Sequence, residues 1–200
     1  MEDLSQAIPF KVDYGNIIKE VQMIELDVNI ICDIIKNMPE NGLMVEWGSG
    51  GSTCKWIDTL TANQKLISIE HNENWYNRVK RAISSEWGDV SNKFTYHHIP
   101  EKNIEHGYGN LMEEHPCGTD EYIHPNDSIW DADVYLVDGI ARATCLMTIL
   151  YKKNKKDSVI LIHDYVGREN WYSWVIQFFE VEVYNDKHRH STLAKLTVKN

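Results

Sequence analysis

Eight consecutive residues from Glu46, E-W-G-S-G-G-S-T, set an acid directly before a glycine-rich turn. Gly48 and Gly50 let a chain turn tightly and approach a ligand with no Cβ in the way. Ser49, Ser52 and Thr53 bring hydroxyls to the same turn. Ser52 or Thr53 is placed to cap a following helix, whose first N–H groups favour a carboxylate or phosphate. Glu70 ends the next apolar run about 20 residues further on, the spacing at which an acidic side chain receives a ribose diol. A second group of reactive side chains follows: Asp138 after D-V-Y-L-V, then His163 and Asp164 after V-I-L-I. Arg142 and Arg168 lie shortly beyond them. An imidazole can act as base near pH 7, and a carboxylate can orient it or hold a divalent ion through oxygen. Those types suit removal of a proton from a hydroxyl, which is a poor nucleophile at neutral pH without a base or a metal.

Such residues act together only if the chain brings them to one place. Leu43 to Trp47, Lys65 to Glu70, Phe94 to Ile99, Asp133 to Asp138 and Ser158 to His163 read as strands. Helical patterns separate them: one ending near Thr61, one from near Asn72, one from Arg142 to Tyr151 and one from Asn170 to Phe179. Glu180 to Tyr184 and Thr192 to Val198 read as a closing antiparallel pair. An amphipathic helix over Ile17 to Lys36 precedes everything, with Ile17, Ile18, Val21, Ile24, Val28 and Ile31 as its core-facing stripe. Strands alternating with helices give an α/β, doubly wound, mostly parallel sheet, and VYLVD and VILIHD have the unbroken apolar runs of strands covered on both faces. Ligands of such sheets bind at the carboxyl ends of the strands. Glu46, Glu70, His97 and His98, Asp138, and His163 with Asp164 all stand there. The stretch from Pro100 to Asp131 is long for a connection, and its His106, Tyr108, His115, Tyr122, His124 and Trp130 suggest a substrate lid. The expected organisation is one domain over residues 1–200, with a helical cap over 1–40 and the lid over 100–131.

The chain has 200 residues, 42% of them apolar and 25% charged, which suits one globular domain with a full core. Its formal charge of −10 repels phosphate backbones, so neither nucleic acid nor an anionic membrane is an expected partner. No stretch reaches the roughly 18 apolar residues of a membrane span, and the acidic start lacks the apolar region of a signal peptide. A cytoplasmic setting is expected, with Cys32, Cys54, Cys117 and Cys145 as reduced, mostly packed thiols. His106, His115 and His124 lack regular ligand spacing, which argues against a zinc site, and His188 and His190 read as a solvated hairpin turn.

The E-x-G-x-G turn, the acidic end of the second strand and D-V-Y-L-V-D-G at the fourth resemble a class I S-adenosylmethionine-dependent methyltransferase over Leu43 to Val198. The resemblance implies a Rossmann-like sheet with S-adenosylmethionine as cofactor. Glu46, Gly48, Ser49 and Gly50 would line its methionine end, with Ser52 and Thr53 hydroxyls meeting the carboxylate. Glu70 would hold the ribose hydroxyls. His71 and Trp75 would sit by the adenosine, His97 and His98 would approach the adenine, and Asp138 would also meet the cofactor. Ser52 stands where many members have a third glycine. A nicotinamide-linked oxidoreductase uses the same turn physics but wants a glycine where Thr53 stands, and an N-P-P-Y-type tetrad of nucleic-acid methyltransferases is replaced by Val137-Asp-Gly-Ile140.

Two templates describe the chemical end. Metal-dependent, catechol-type O-methyltransferases place acids as Asp138 and Asp164 stand and would add Mg or Mn, but Tyr165 replaces their asparagine. Glycan O-methyltransferases of the glucuronoxylan type, and comparable modules of large DNA viruses, carry a stretch similar to Ile162-His-Asp-Tyr-Val-Gly-Arg168. The second template implies a sugar or glycan hydroxyl as acceptor. Asp138 or His163 would be the base and Asp164 an orienting acid; Arg142, Arg168, Tyr165, Trp130 and Tyr108 would meet the acceptor. Simpler roles compete: His163 as a satisfied strand-end histidine, Asp138 as a helix cap, and both arginines as surface ion pairs. Oligomeric state stays open.

Overall fold

The computed structural model describes residues 23–100, 120–125, 127–184 and 192–199. Seven strands form one sheet: β1 Leu43–Trp47, β2 Lys65–Glu70, β3 Phe94–His98, β4 Val134–Val137, β5 Val159–Ile162, β6 Phe179–Val183 and β7 Ala194–Val198. Their order is β3-β2-β1-β4-β5-β7-β6, with the first five strands parallel and β7 antiparallel to both β5 and β6. The doubly wound, mostly parallel sheet with its closing antiparallel pair is as the sequence indicates. Progress along the sheet reverses between β1 and β4, and that reversal opens a crevice at the carboxyl ends of these two strands.

Alternation along each strand assigns its side chains to two cores. Met44, Leu66, Val134, Leu136 and Leu161 face one side, and Val45, Trp47, Ile69, Tyr135, Val137, Ile160 and Ile162 face the other. Helices α1 Glu25–Lys36, α2 Gly51–Thr59 and α3 Glu73–Trp87 cover the first side. Val28, Ile31 and Ile35 of α1, Trp56 and Ile57 of α2, and Val79 and Ala82 of α3 are all fully buried there. Helices α4 Asp120–Ile123, α5 Arg142–Lys152 and α6 Ser173–Ile176, with two 3-10 turns at Asp127–Asp131 and Glu169–Tyr172, cover the second side. Cys32, Cys54 and Cys145 are free thiols and buried. No described helix is long and apolar enough to cross a membrane.

Three expectations are corrected by packing. The described part of the first helix starts at Glu25, and Ile24 is extended (φ −70°, ψ 153°); Ile17, Ile18 and Val21 lie outside the described residues. A helix over Asn170 to Phe179 gives way to a 3-10 turn and the single turn of α6, because Phe179 pairs with Val198 as the first residue of β6. The described end of the expected lid is core. Tyr122, Ile123, Ile129 and Trp130 are buried, with the Trp130 ring 6.3 Å from that of Trp47. Trp130 is therefore no acceptor platform. Tyr108, His106, His115, Cys117, His188 and His190 lie outside the described residues.

Candidate active site

Two turns meet at the crevice. Gly48, after β1, has φ +90°, and a Cβ there would stand 2.5 Å from the backbone of Gly139, after β4. A Cβ on Gly139 would in turn overlap the Tyr122 hydroxyl. Only glycine satisfies both limits, positive φ at the first and close approach at both. Backbone bonds fix the pair: Gly48 N–H donates to Ile69 O at 2.9 Å and Asp138 N–H to Trp47 O at 2.8 Å.

A cleft of about 620 Å³ opens over these turns. At one end it is lined by Gly48, Ser49, Gly50, Ser52, Glu70, His71 and Trp75, and at the other by Asp138, Arg142, His163 and Asp164. Met23, Gly51, Asn72, Gly139 and Ile140 complete the lining without having been singled out in the sequence. The glycine turn and Glu70 thus share a cavity with the acid–base cluster.

Glu70 holds the first end together. Its Oε2 accepts from Ser49 N–H at 2.9 Å and Ser49 Oγ at 3.0 Å; its Oε1 accepts from Asn72 N–H at 2.8 Å and lies 3.1 Å from His71 Nδ1. Ser49 Oγ also meets the Tyr96 hydroxyl, and the Trp75 indole N–H donates to Ser49 O. Asn72 caps α3 by accepting from Trp75 N–H at 2.9 Å, which seats the indole at the cleft, and the Arg78 guanidinium lies 5.1 Å over its ring.

Glu46 does not line the cleft. Strand alternation turns it toward α2, where it is fully buried and accepts from Ser68 Oγ at 2.7 Å, Thr53 Oγ1 at 2.9 Å and Trp56 Nε1 at 2.8 Å. Burial pushes its carboxyl up to about 7, although those donors lower it. Thr53 is likewise committed inward, since its hydroxyl also accepts from Gly50 N–H at 2.8 Å. Gly50, not Ser52 or Thr53, is the N-cap of α2. The acid and the threonine therefore brace the turn from beneath. His98 accepts the same correction: its Nε2 lies 3.2 Å from His71 O and its ring stacks on Tyr76, behind the wall that His71 forms.

At the other end His163 is the hub. Its Nδ1 lies 2.8 Å from Asp138 Oδ1 and 3.6 Å from Asp164 Oδ1, and its Nε2 lies 3.6 Å from Asp27 Oδ2. Burial works to lower the imidazole, but Asp138, with Asp27 and Asp164 behind it, outweighs that effect and raises it to about 10. The ring is a cation at neutral pH. Arg142 is buried, 3.7 Å from Asp138 Oδ1 and 3.4 Å from Asp164 Oδ2. Desolvation of its guanidinium is outweighed by Asp138, Tyr172 and Asp164, which hold it charged. Arg168 reaches the cleft through Asp164, at 3.4 Å, while lying 5.3 Å over the Trp171 ring. Asp138 caps no helix, because the N-cap of α5 is Ala141 in left-handed backbone (φ 50°). Asp164 shares that conformation (φ 56°), so strained backbone flanks the cluster on both sides. Tyr165 turns away, 8% exposed and stacked on Tyr172 with centroids 6.0 Å apart. Asp27 is the acid that motif reading missed; a carboxylate among Val28, Ile31 and Ile35 was its signal.

No protein-family model and no curated protein matches the sequence. Solved structures do match in fold. A methyltransferase-like protein of Silicibacter pomeroyi superposes with TM-score 0.67 and 16% identity over 92% of this chain and 90% of that one. An SAH-bound methyltransferase of Podospora anserina gives 0.62 and 12% over 88% and 79%. A SAM-dependent O-methyltransferase of Thermotoga maritima gives 0.59 and 12% over 89% and 67%. The chain has the Rossmann-like fold of class I methyltransferases.

Proposed function

We propose that the protein is an S-adenosylmethionine-dependent O-methyltransferase acting on a polar, hydroxyl-rich small acceptor, with a sugar or glycan hydroxyl as the preferred reading. One observation carries this: a single cleft joins the glycine turn, Glu70 and Trp75 to Asp138, His163, Asp164 and Arg142. The fold neighbours that are SAM-dependent or bound to SAH support the same cofactor here.

The residues at the first end fit the cofactor. Glu70 offers a buried carboxylate to a ribose diol, which would take over the place of the Ser49 hydroxyl. Trp75 and His71 offer flat rings beside it. Gly50 and Ser52 bring the start of α2, where backbone N–H groups favour a carboxylate. When bound, S-adenosylmethionine supplies an electrophilic methyl, which passes to oxygen as its bond to sulfur breaks and leaves a neutral thioether. The chain itself supplies position and a proton acceptor. Asp138 is that acceptor, because His163 already carries its proton. The imidazolium steadies Asp138 from behind, and Arg142 and Asp164 orient further hydroxyls of the acceptor.

The oxygens of Asp138 and Asp164 and a His163 nitrogen lie within 4.8 Å of one another, close enough for one divalent ion. The charges around them speak for metal-free chemistry. Arg142 and Arg168 already neutralise Asp164, and His163 Nδ1 is turned onto Asp138. A sugar acceptor suits the mixed acid and guanidinium lining, which can bind several hydroxyls at once.

Titration calorimetry with S-adenosylhomocysteine tests the cofactor assignment, and a methyl-transfer panel of sugars, catechols and simple alcohols tests the acceptor. Glu70→Gln is expected to weaken cofactor binding about 10- to 100-fold, the loss of charge-assisted hydrogen bonds, with the far-ultraviolet spectrum unchanged. No cofactor binding by the wild-type chain at millimolar concentration would refute the assignment.

A further inference from the structure

Asp27 has no place in the chemistry described so far, yet it is 0% exposed. A carboxylate taken out of water is costly unless its charge is met. Two of its partners come from distant parts of the chain. Thr192, just before β7, approaches Asp27 Oδ2 with its N–H at 3.3 Å and its hydroxyl at 3.5 Å. His163, just after β5, brings Nε2 to 3.6 Å of the same oxygen. Three segments far apart in sequence therefore converge on one atom. Met23, just before α1, lines the cleft, so this end of the helix reaches it.

The two ring nitrogens of His163 face opposite carboxylates. Nδ1 is 2.8 Å from Asp138 Oδ1 and Nε2 is 3.6 Å from Asp27 Oδ2. A ring held at both ends resists flipping, because a flip sets carbon against each of these two oxygens and gives up both contacts. Among the described residues, Asp27 (α1), Asp138 and Arg142 (β4 to α5) and Asp164 with Arg168 (after β5) are the charged groups around the ring. Counting His163 as a cation, they comprise three anions and three cations. Removing Asp27 leaves one positive charge in excess and one ring nitrogen with no acid behind it.

We propose that Asp27 is a positioning residue of the methyl-transfer site: from α1 it fixes the His163 ring so that Nδ1 stays on Asp138 and holds that carboxylate toward the acceptor hydroxyl. The inference rests on the methyltransferase reading for its kinetic consequence but not for its structural one. Without Asp27 the ring rotates, Asp138 loses its donor, and its carboxylate swings to the nearby Arg142 guanidinium. The acceptor still binds, and so does the cofactor, whose end of the cleft Asp27 does not touch. Turnover is what suffers, since misplacing a reacting group by about 1 Å can cost on the order of 100-fold.

Asp27→Asn preserves size and removes the charge. In the full-length chain it is expected to lower kcat about 10- to 100-fold while the acceptor KM and the affinity for S-adenosylhomocysteine stay within about threefold. Nitrogen-15 spectra of the ligand-free protein give a second readout that needs no turnover. In the wild-type chain both His163 ring nitrogens are expected to carry slowly exchanging protons near neutral pH; in Asp27→Asn the Nε2 proton is expected to be lost to exchange. A wild-type chain that turns over, paired with a variant whose kcat is unchanged, overturns the inference. So does a variant that loses only thermal stability, which would make Asp27 a helix-end anchor. If the wild-type chain binds no S-adenosylhomocysteine and methylates nothing, the functional reading falls and the spectra alone decide on Asp27. Should Asp27→Asn not fold, a wild-type Nε2 that carries no proton overturns the inference by itself.

Discussion

In the proposed reaction Asp138 takes a proton while the His163 ring sits 2.8 Å away and the Arg142 guanidinium 3.7 Å away. The proton moves late in that reaction, as the hydroxyl oxygen gains its methyl and becomes acidic. Asp138→Asn is expected to lower kcat by about 10²- to 10⁴-fold with S-adenosylhomocysteine affinity within a few-fold, measured by radiolabelled methyl transfer and calorimetry. Glu46 shows the opposite case, an acid whose burial raises it to about 7 from 4.5. Between those values the folded chain keeps a proton that the unfolded chain releases, so this group's contribution to stability falls as pH rises through the window. Urea unfolding of wild type and Glu46→Gln should differ by an amount that declines on the order of 1–3 kcal/mol from pH 4.5 to 7 and is flat above it. A constant difference would mean that the carboxyl is ionised throughout. The acids themselves were legible from their places at strand ends. Which of them face the cleft was not, because that depends on strand alternation and on neighbours such as Ser68 and Trp56, distant in sequence.

Among the elements, the strands were the most readable. Val134 to Val137 and Val159 to Ile162 are apolar throughout because both faces are covered, and nothing competes with that pattern. The described residues just before β4 show why aromatic side chains are hard to assign from sequence. Aromatic side chains serve equally as ligand platforms and as core, and only the tertiary fold puts Trp130 beside Trp47 and Tyr122 over Gly139. Trp130→Ala is therefore expected to cost about 3–5 kcal/mol of stability, read from chemical unfolding, with acceptor KM little changed. A large rise in KM with stability intact would restore the lid interpretation. Helix α1 was read as a plain amphipathic cap, which is right for Val28, Ile31 and Ile35 and incomplete for Asp27.

Across the whole molecule, the order β3-β2-β1-β4-β5-β7-β6 divides labour along one line. Strands to one side of the β1–β4 boundary end in the turn, Glu70 and His71; those to the other end in Asp138, His163 and Asp164. The two sets act as one site because the boundary crevice joins them. If the cations there replace a metal, activity measured after exhaustive treatment with a chelator should equal that of untreated protein, and added Mg or Mn should raise it less than about twofold. A chelator-sensitive enzyme, restored by either ion, would make Asp138 and Asp164 ligands instead.

The contact between Gly48 and Gly139 also bears on how such a protein can be rebuilt. Each residue fills the room a side chain on the other would need, so neither half tolerates a parent with bulk at this seam. Chimeras that exchange the front and back portions among fold relatives should survive when both parents keep glycine at the two positions, and fail where one of them does not. Library design can start from that single pair.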